Sequence, residues 1–142
     1  MGVPMCLLRA VAVWLVMIAA ETIHGVLRAM LLVPLVGNLS ARQIGVPIGS
    51  LLIFAVACLF IRWISAKMRL QLLGVGLLCV VLTVLFEIGL GRLVLDLPWD
   101  RITEDYDPAR GGFLGLGLLF MAMSPLLAAR VRTPNLLTRS SP

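Results

Sequence analysis

The chain has 142 residues, of which 61% are hydrophobic and 13% charged, and its mean hydropathy is +1.06. Soluble domains carry about 25% charged and about 45–50% apolar residues. A chain this short has too little interior to hide so much apolar surface from water. The net charge of +5 does not point to nucleic acid, because the bases flank apolar runs and are not interleaved with aromatics.

Four apolar runs follow one another, at 7–36, 44–61, 70–94 and 112–129. A spanning helix needs ~20 apolar residues, and in lipid it must be a helix, since an open strand leaves backbone groups unpaired. The expected fold class is therefore an all-α integral membrane protein, a four-transmembrane-helix bundle forming a single membrane domain over 1–142. The lipid bilayer is its first partner. Arg9 followed by the run 11–20 has the look of a signal sequence. However, Ile18 and Ala20 make a poor small-x-small cleavage site, and the apolar pattern continues to Val36. The expectation is an uncleaved first span, long enough to tilt or to leave the bilayer near Pro34.

Between the runs the charges sort into two sets. Arg9, Arg62, Lys67, Arg69, Arg130, Arg132 and Arg139 stand on one side with no acid among them. Arg42, Arg92, Arg101 and Arg110 stand on the other with Asp96, Asp100, Glu104, Asp105 and Asp107. Loops rich in Lys and Arg stay in the cytoplasm. That rule predicts both termini and the tail 130–142 cytoplasmic, and the loop 95–111 extracytoplasmic. The excess of Arg over Lys suggests a bacterial inner (plasma) membrane. Trp14 and Trp63 are expected near the inner interface, and Trp99 and Tyr106 near the outer one.

Small residues let membrane helices approach closely. Gly45 with Gly49, and Gly111 with Gly115, have that spacing. In the third run Gly76, Thr83, Glu87 and Gly91 share one helical face, which is expected to look into the bundle. These faces suggest a homo-oligomer or a partner in a membrane complex. Cys6, Cys58 and Cys79 form no CxxC pair and no metal spacing. Ser124–Pro125 reads as a kink whose freed carbonyl is satisfied locally.

Ionisable residues inside apolar spans are costly and point to function. Glu21, His24 and Arg28 interrupt the first run at spacings of three and four, one stripe of a helix. Glu87 interrupts the third. At 1.5 Å per residue, Glu21 stands ~18 Å, His24 ~22 Å and Arg28 ~28 Å above Arg9, and Glu87 ~25 Å above Leu70. The sequence thus predicts an outward-facing polar pocket between the first and third helices. Glu87 paired with Arg28 is its central contact, His24 lies between Glu21 and Glu87, and Arg42 and Arg92 line the mouth. Such a pocket is expected to bind or transport a small solute or ion, with protons carried by Glu21, His24 and Glu87.

Two other readings use the same residues. In one, the charges only neutralise each other and pin helices together in an accessory or scaffold subunit. In the other, Glu21-x-x-His24 with Glu87 supplies half of a carboxylate/His metal site that a dimer completes. The loop 96–110, DLPWDRITEDYDPAR, does not match a calcium loop. It reads as a solvated acidic segment, a lid over the pocket or a docking surface, with Arg101 and Asp105 spaced for a helical turn. No GxSxG, HExxH, phosphate loop or dinucleotide motif occurs. An enzyme is thus the less favoured reading, and no cofactor is implied.

Overall fold

The computed structural model describes residues 2–66 and 68–132. Lys67, Arg139 and the rest of the tail 133–142 lie outside the described residues. Helix α1 (Val3–Leu27) runs through a π-helical turn (Arg28–Leu32) into α2 (Val33–Val36). Helix α3 spans Asn38–Ile64. Helix α4 (Arg69–Gly89) runs into a second π turn (Leu90–Val94). A short helix α5 (Trp99–Glu104) and a 3-10 turn (Pro108–Arg110) precede α6 (Leu114–Arg132). No strand occurs among the described residues. Four helices are long and apolar enough to cross a membrane: Pro4–Val36, Asn38–Ile64, Arg69–Val94 and Leu114–Arg132.

The second helix begins at Asn38 rather than near residue 44. Gly37, at φ 83°, reverses the chain in a single residue, a left-handed conformation that favours glycine. Arg42 and Gln43 therefore ride on the first turns of α3. Apolar run length could not register this, because Arg42 is polar yet finds a partner inside the fold.

Two prolines are absorbed locally. Pro125 has no N–H to give to the Met121 carbonyl, and the Ser124 hydroxyl donates to that oxygen instead, at 2.9 Å. Pro34 follows the first π turn, in which the Val33 N–H donates to the Arg28 carbonyl. Widening the helix one turn before a proline relieves the clash of its ring with the preceding turn.

Around the bundle, α1 lies on α3, α3 on α6 and α6 on α4, and the seam between α4 and α1 is the narrowest. The core concentrates towards one end, where Ala10, Val13, Ala57, Leu72, Ala128 and Ala129 are almost fully buried. Gly76 sets how closely α4 approaches α6, since a Cβ there would overlap the Ala122 carbonyl.

At that end Arg9 Nη1 donates to the Trp63 carbonyl at 2.8 Å and to Ser65 Oγ at 3.2 Å. Its guanidinium lies 5.4 Å from the Trp63 ring centre. Arg62 Nη2 donates to the Arg132 carbonyl at 3.2 Å. Arg42, Arg101 and Asp105 gather at the opposite end. Trp14 is half-buried and turns towards α4. Its indole N–H donates to Thr83 Oγ1 at 3.0 Å and its ring stands edge-on to Phe86 at 6.4 Å, so it stitches α1 to α4 inside the bundle.

Candidate functional site

Beyond the Trp14–Thr83 stitch the four long helices enclose a cavity of about 610 Å³. Its walls are mostly apolar, with Met17, Ile53, Phe86, Leu118 and Met121 among them. Against those walls stand Glu21, His24, Arg28, Arg42, Glu87 and Asp105.

The α1 stripe supplies three of these groups because spacings of three and four keep side chains on one helical face. His24 Nδ1 lies 3.4 Å from Glu21 Oε2. Two glycines of α3 receive this stripe. A methyl at Gly49 would stand 2.9 Å from Glu21 Oε2, and one at Gly45 would stand 2.7 Å from Arg28 Cδ. The Gly45/Gly49 pair thus makes room for charged side chains within one protomer. Gly111 is likewise a turn residue, at φ 78°. Gly115 has open space beside it.

Glu87 reaches the cavity from α4. The expected Glu87–Arg28 ion pair is not formed within 4 Å, and neither group has a hydrogen bond or ion pair among the described residues. The reason is architectural: α1 and α4 meet at Trp14, and beyond it the cavity holds their polar faces apart. Glu21 Oε1 is buried with no hydrogen-bond partner.

The acidic loop lies at the mouth. Arg42 is largely buried and its Nη1 pairs with Asp105 Oδ1. The same oxygen accepts from Arg101 Nη1 at 3.1 Å, four residues back along α5. Gly112 lets the loop fold tightly, since a Cβ there would run into the Glu104 and Asp105 carbonyls. Arg92 does not line the cavity. It donates to the Leu97 carbonyl at 2.8 Å and lies 5.2 Å from the Trp99 ring centre, fixing the chain after the second π turn. The cationic side of the site is therefore Arg28 and Arg42.

Sequence spacing gave no sign that Asp105 reaches Arg42, 63 positions away. Nor did it reveal Tyr106, which is drawn inward: its hydroxyl is buried without a partner. Burial, with the Glu87 and Asp105 carboxylates nearby, pushes its pKa above the ordinary tyrosine value. For metal chemistry, Glu21 and His24 are adjacent. Yet no group of three His, Cys, Asp or Glu side chains able to hold an ion comes together among the described residues. The chain matches no protein-family model, no curated protein and no solved structure.

Proposed function

We propose that this is an integral membrane protein whose cavity binds a small solute and passes it across or within the membrane. In this reading the Arg9–Arg62–Arg132 end is cytoplasmic, with both termini, and the Asp105 loop faces outward, as expected for a bacterial plasma membrane. The observation that carries it is the convergence of Glu21, His24, Arg28, Arg42 and Glu87 on one cavity. Charges that only pin helices neutralise one another. Here Arg28 and Glu87 face the same space and act on each other only across it, with no direct ion pair, a costly arrangement unless something else meets them. A volume of about 610 Å³ falls in the range of ~300–1,000 Å³ typical of small-molecule sites. Proton coupling through Glu21, His24 and Glu87 belongs to the same proposal.

A second reading, an accessory subunit, draws on two contacts that do join elements: Glu21 with His24, and Arg42 with Asp105. Native mass spectrometry of protein extracted with its surrounding lipid separates the two. The transport reading expects a bound mass on the wild type that Glu87→Gln and Arg28→Met lose while their melting temperatures hold. If the wild type carries nothing and both variants only impair assembly, the accessory reading stands. Labelling of an Ala109→Cys variant by an impermeant thiol reagent in intact cells checks the orientation. Absence of labelling, with labelling restored on lysis, inverts it.

A further inference from the structure

The lining of the cavity reaches the edge of α1 that turns towards α4. Val26 lines the cavity and is 53% exposed. Thr22, one turn earlier, is likewise both lining and exposed. Gly25, between them, also lines the cavity, and a Cβ on it would meet nothing within 4 Å. These residues border the seam where α1 and α4, joined at Trp14, have no further hydrogen bond or ring contact among the described residues. Val26 stands roughly 25 Å above Arg9 at the helical rise, inside a hydrocarbon layer of about 30 Å. In the membrane reading, an opening between α1 and α4 at this height would meet acyl chains.

Resting on the membrane-pocket reading above, we infer that the ligand is a single-chain zwitterionic amphiphile that enters from the bilayer between α1 and α4. Three features of the site select this class. The walls are mostly apolar, which suits a hydrocarbon body. A methylene occupies roughly the volume of a water, about 30 Å³. One long hydrocarbon chain is thus on the scale of the 610 Å³ cavity. The polar wall carries charges of both signs that form no direct ion pair with one another: the Arg28 guanidinium on one hand, and on the other Glu87 and Glu21, whose Oε2 meets His24 and whose Oε1 is buried without a hydrogen bond. A purely anionic head satisfies Arg28 and leaves two carboxylates opposed. A purely cationic head reverses the fault. A phosphate directed to Arg28 and an ammonium directed to Glu21 or Glu87 meets both, and charge-assisted hydrogen bonds of this kind are the strong ones.

The test uses the full chain in nanodiscs with four probes read by native mass spectrometry. Palmitoyl lysophosphatidylethanolamine carries chain and zwitterion. Palmitoyl lysophosphatidate is the anionic relative, cetyltrimethylammonium the cationic one, and phosphoethanolamine the head without a chain. The expected order places the first ahead of each other probe by about tenfold or more. Arg28→Met and Glu87→Gln should each remove that preference. Gly25→Leu should abolish uptake of the chain-bearing probe while its melting temperature is kept, because its side chain enters open space. Val26→Trp should slow uptake without changing the final occupancy. If phosphoethanolamine binds as tightly as its acylated form, or if Gly25→Leu leaves uptake untouched, the bilayer-derived ligand is overturned and the pocket itself survives. Equal binding of the anionic or cationic probe overturns the zwitterion alone. If no probe binds, and Arg28→Met and Glu87→Gln change only assembly, both this inference and the pocket reading fall.

Discussion

The two ends of the bundle are made from the same helices under different rules. Towards Arg9 the contacts are small residues against backbone: Ala10, Ala128 and Ala129 are fully buried, and Gly76 lies on the Ala122 carbonyl. Towards Arg42 the helices separate, glycines receive charged side chains, and π turns follow both α1 and α4. The first end holds the helices at fixed distances, which leaves the second free to keep unpaired polar groups around an open space. Packed regions carry stability, while sites are drawn from regions that bury less. A substitution of one kind should therefore have different effects at the two ends, and that contrast is measurable.

The largest effect is expected at Gly76. Gly76→Val drives a branched side chain into the Ala122 carbonyl, which is backbone and cannot rotate away. Overpacking against a fixed neighbour costs about 3 kcal/mol, at the upper end for such changes. Loss of monodisperse protein in detergent, or a melting temperature lowered by many degrees, reports it. A wild-type melt would show that α4 and α6 can slide apart, and would remove the rigid end from the comparison.

Thr83→Val comes next, at the boundary between the ends. It keeps the shape, but removes the acceptor of the Trp14 N–H and the hydroxyl that reaches Met121 Sδ at 3.4 Å. A buried donor left unpaired costs about 1.5 kcal/mol, near the upper values measured between membrane helices. Thr83→Ser should restore most of this, and a red shift of Trp fluorescence in the valine variant would mark the freed indole. If serine and valine behave alike, the hydrogen bond contributes nothing and α1 is held to α4 by ring packing alone.

How far these contacts were legible in the sequence follows from their range. Helical period fixes which face Glu21, His24 and Arg28 share, so the stripe was readable from spacing alone. Charge sorting along the chain put Arg9 and Arg62 at one end and Arg42 and Asp105 at the other, without pairing any of them. Run length found four helices long and apolar enough to span a membrane, yet missed the reversal at Gly37, because a single residue leaves almost no polar signal. The Glu87–Arg28 pair was expected from equal depth. Depth says nothing about lateral distance, and lateral distance is set by Trp14 and by the glycines of α3. Asp105 was hidden for the same reason: its main partner lies on a helix two spans earlier.

Tyr106 offers a smaller effect at the open end. Burial, and then the carboxylates of Glu87 and Asp105, raise its pKa in the folded chain. In the unfolded chain it ionises near its ordinary value of about 10, so there the unfolded state binds fewer protons than the folded one. Stability contributed by the neutral phenol is present below that value and lost as pH rises towards the raised one. Thermal melts above pH 10 should therefore fall faster for the wild type than for Tyr106→Phe. At neutral pH the phenylalanine variant should match or slightly exceed the wild type, since the buried hydroxyl has no partner. Parallel pH profiles would mean that the side chain faces water.

The smallest effect on stability is expected at Gly25, and it is the most discriminating because it repeats the Gly76 experiment in the open region. Both glycines lie within long helices, so both gain helix propensity on substitution, worth up to about 1 kcal/mol for leucine. At Gly76 that gain is swamped by the clash with Ala122. At Gly25 a Cβ meets nothing within 4 Å, so Gly25→Leu should melt at or slightly above the wild-type temperature. The same leucine fills volume at the α1–α4 gap, reducing the access of a thiol reagent to a Ser50→Cys probe inside the cavity. A stable protein with a shielded probe places open space where α1 leaves α4. A leucine variant as damaged as the valine at Gly76 would mean that the helices close over this position in the membrane, and the two ends would then be packed by the same rule.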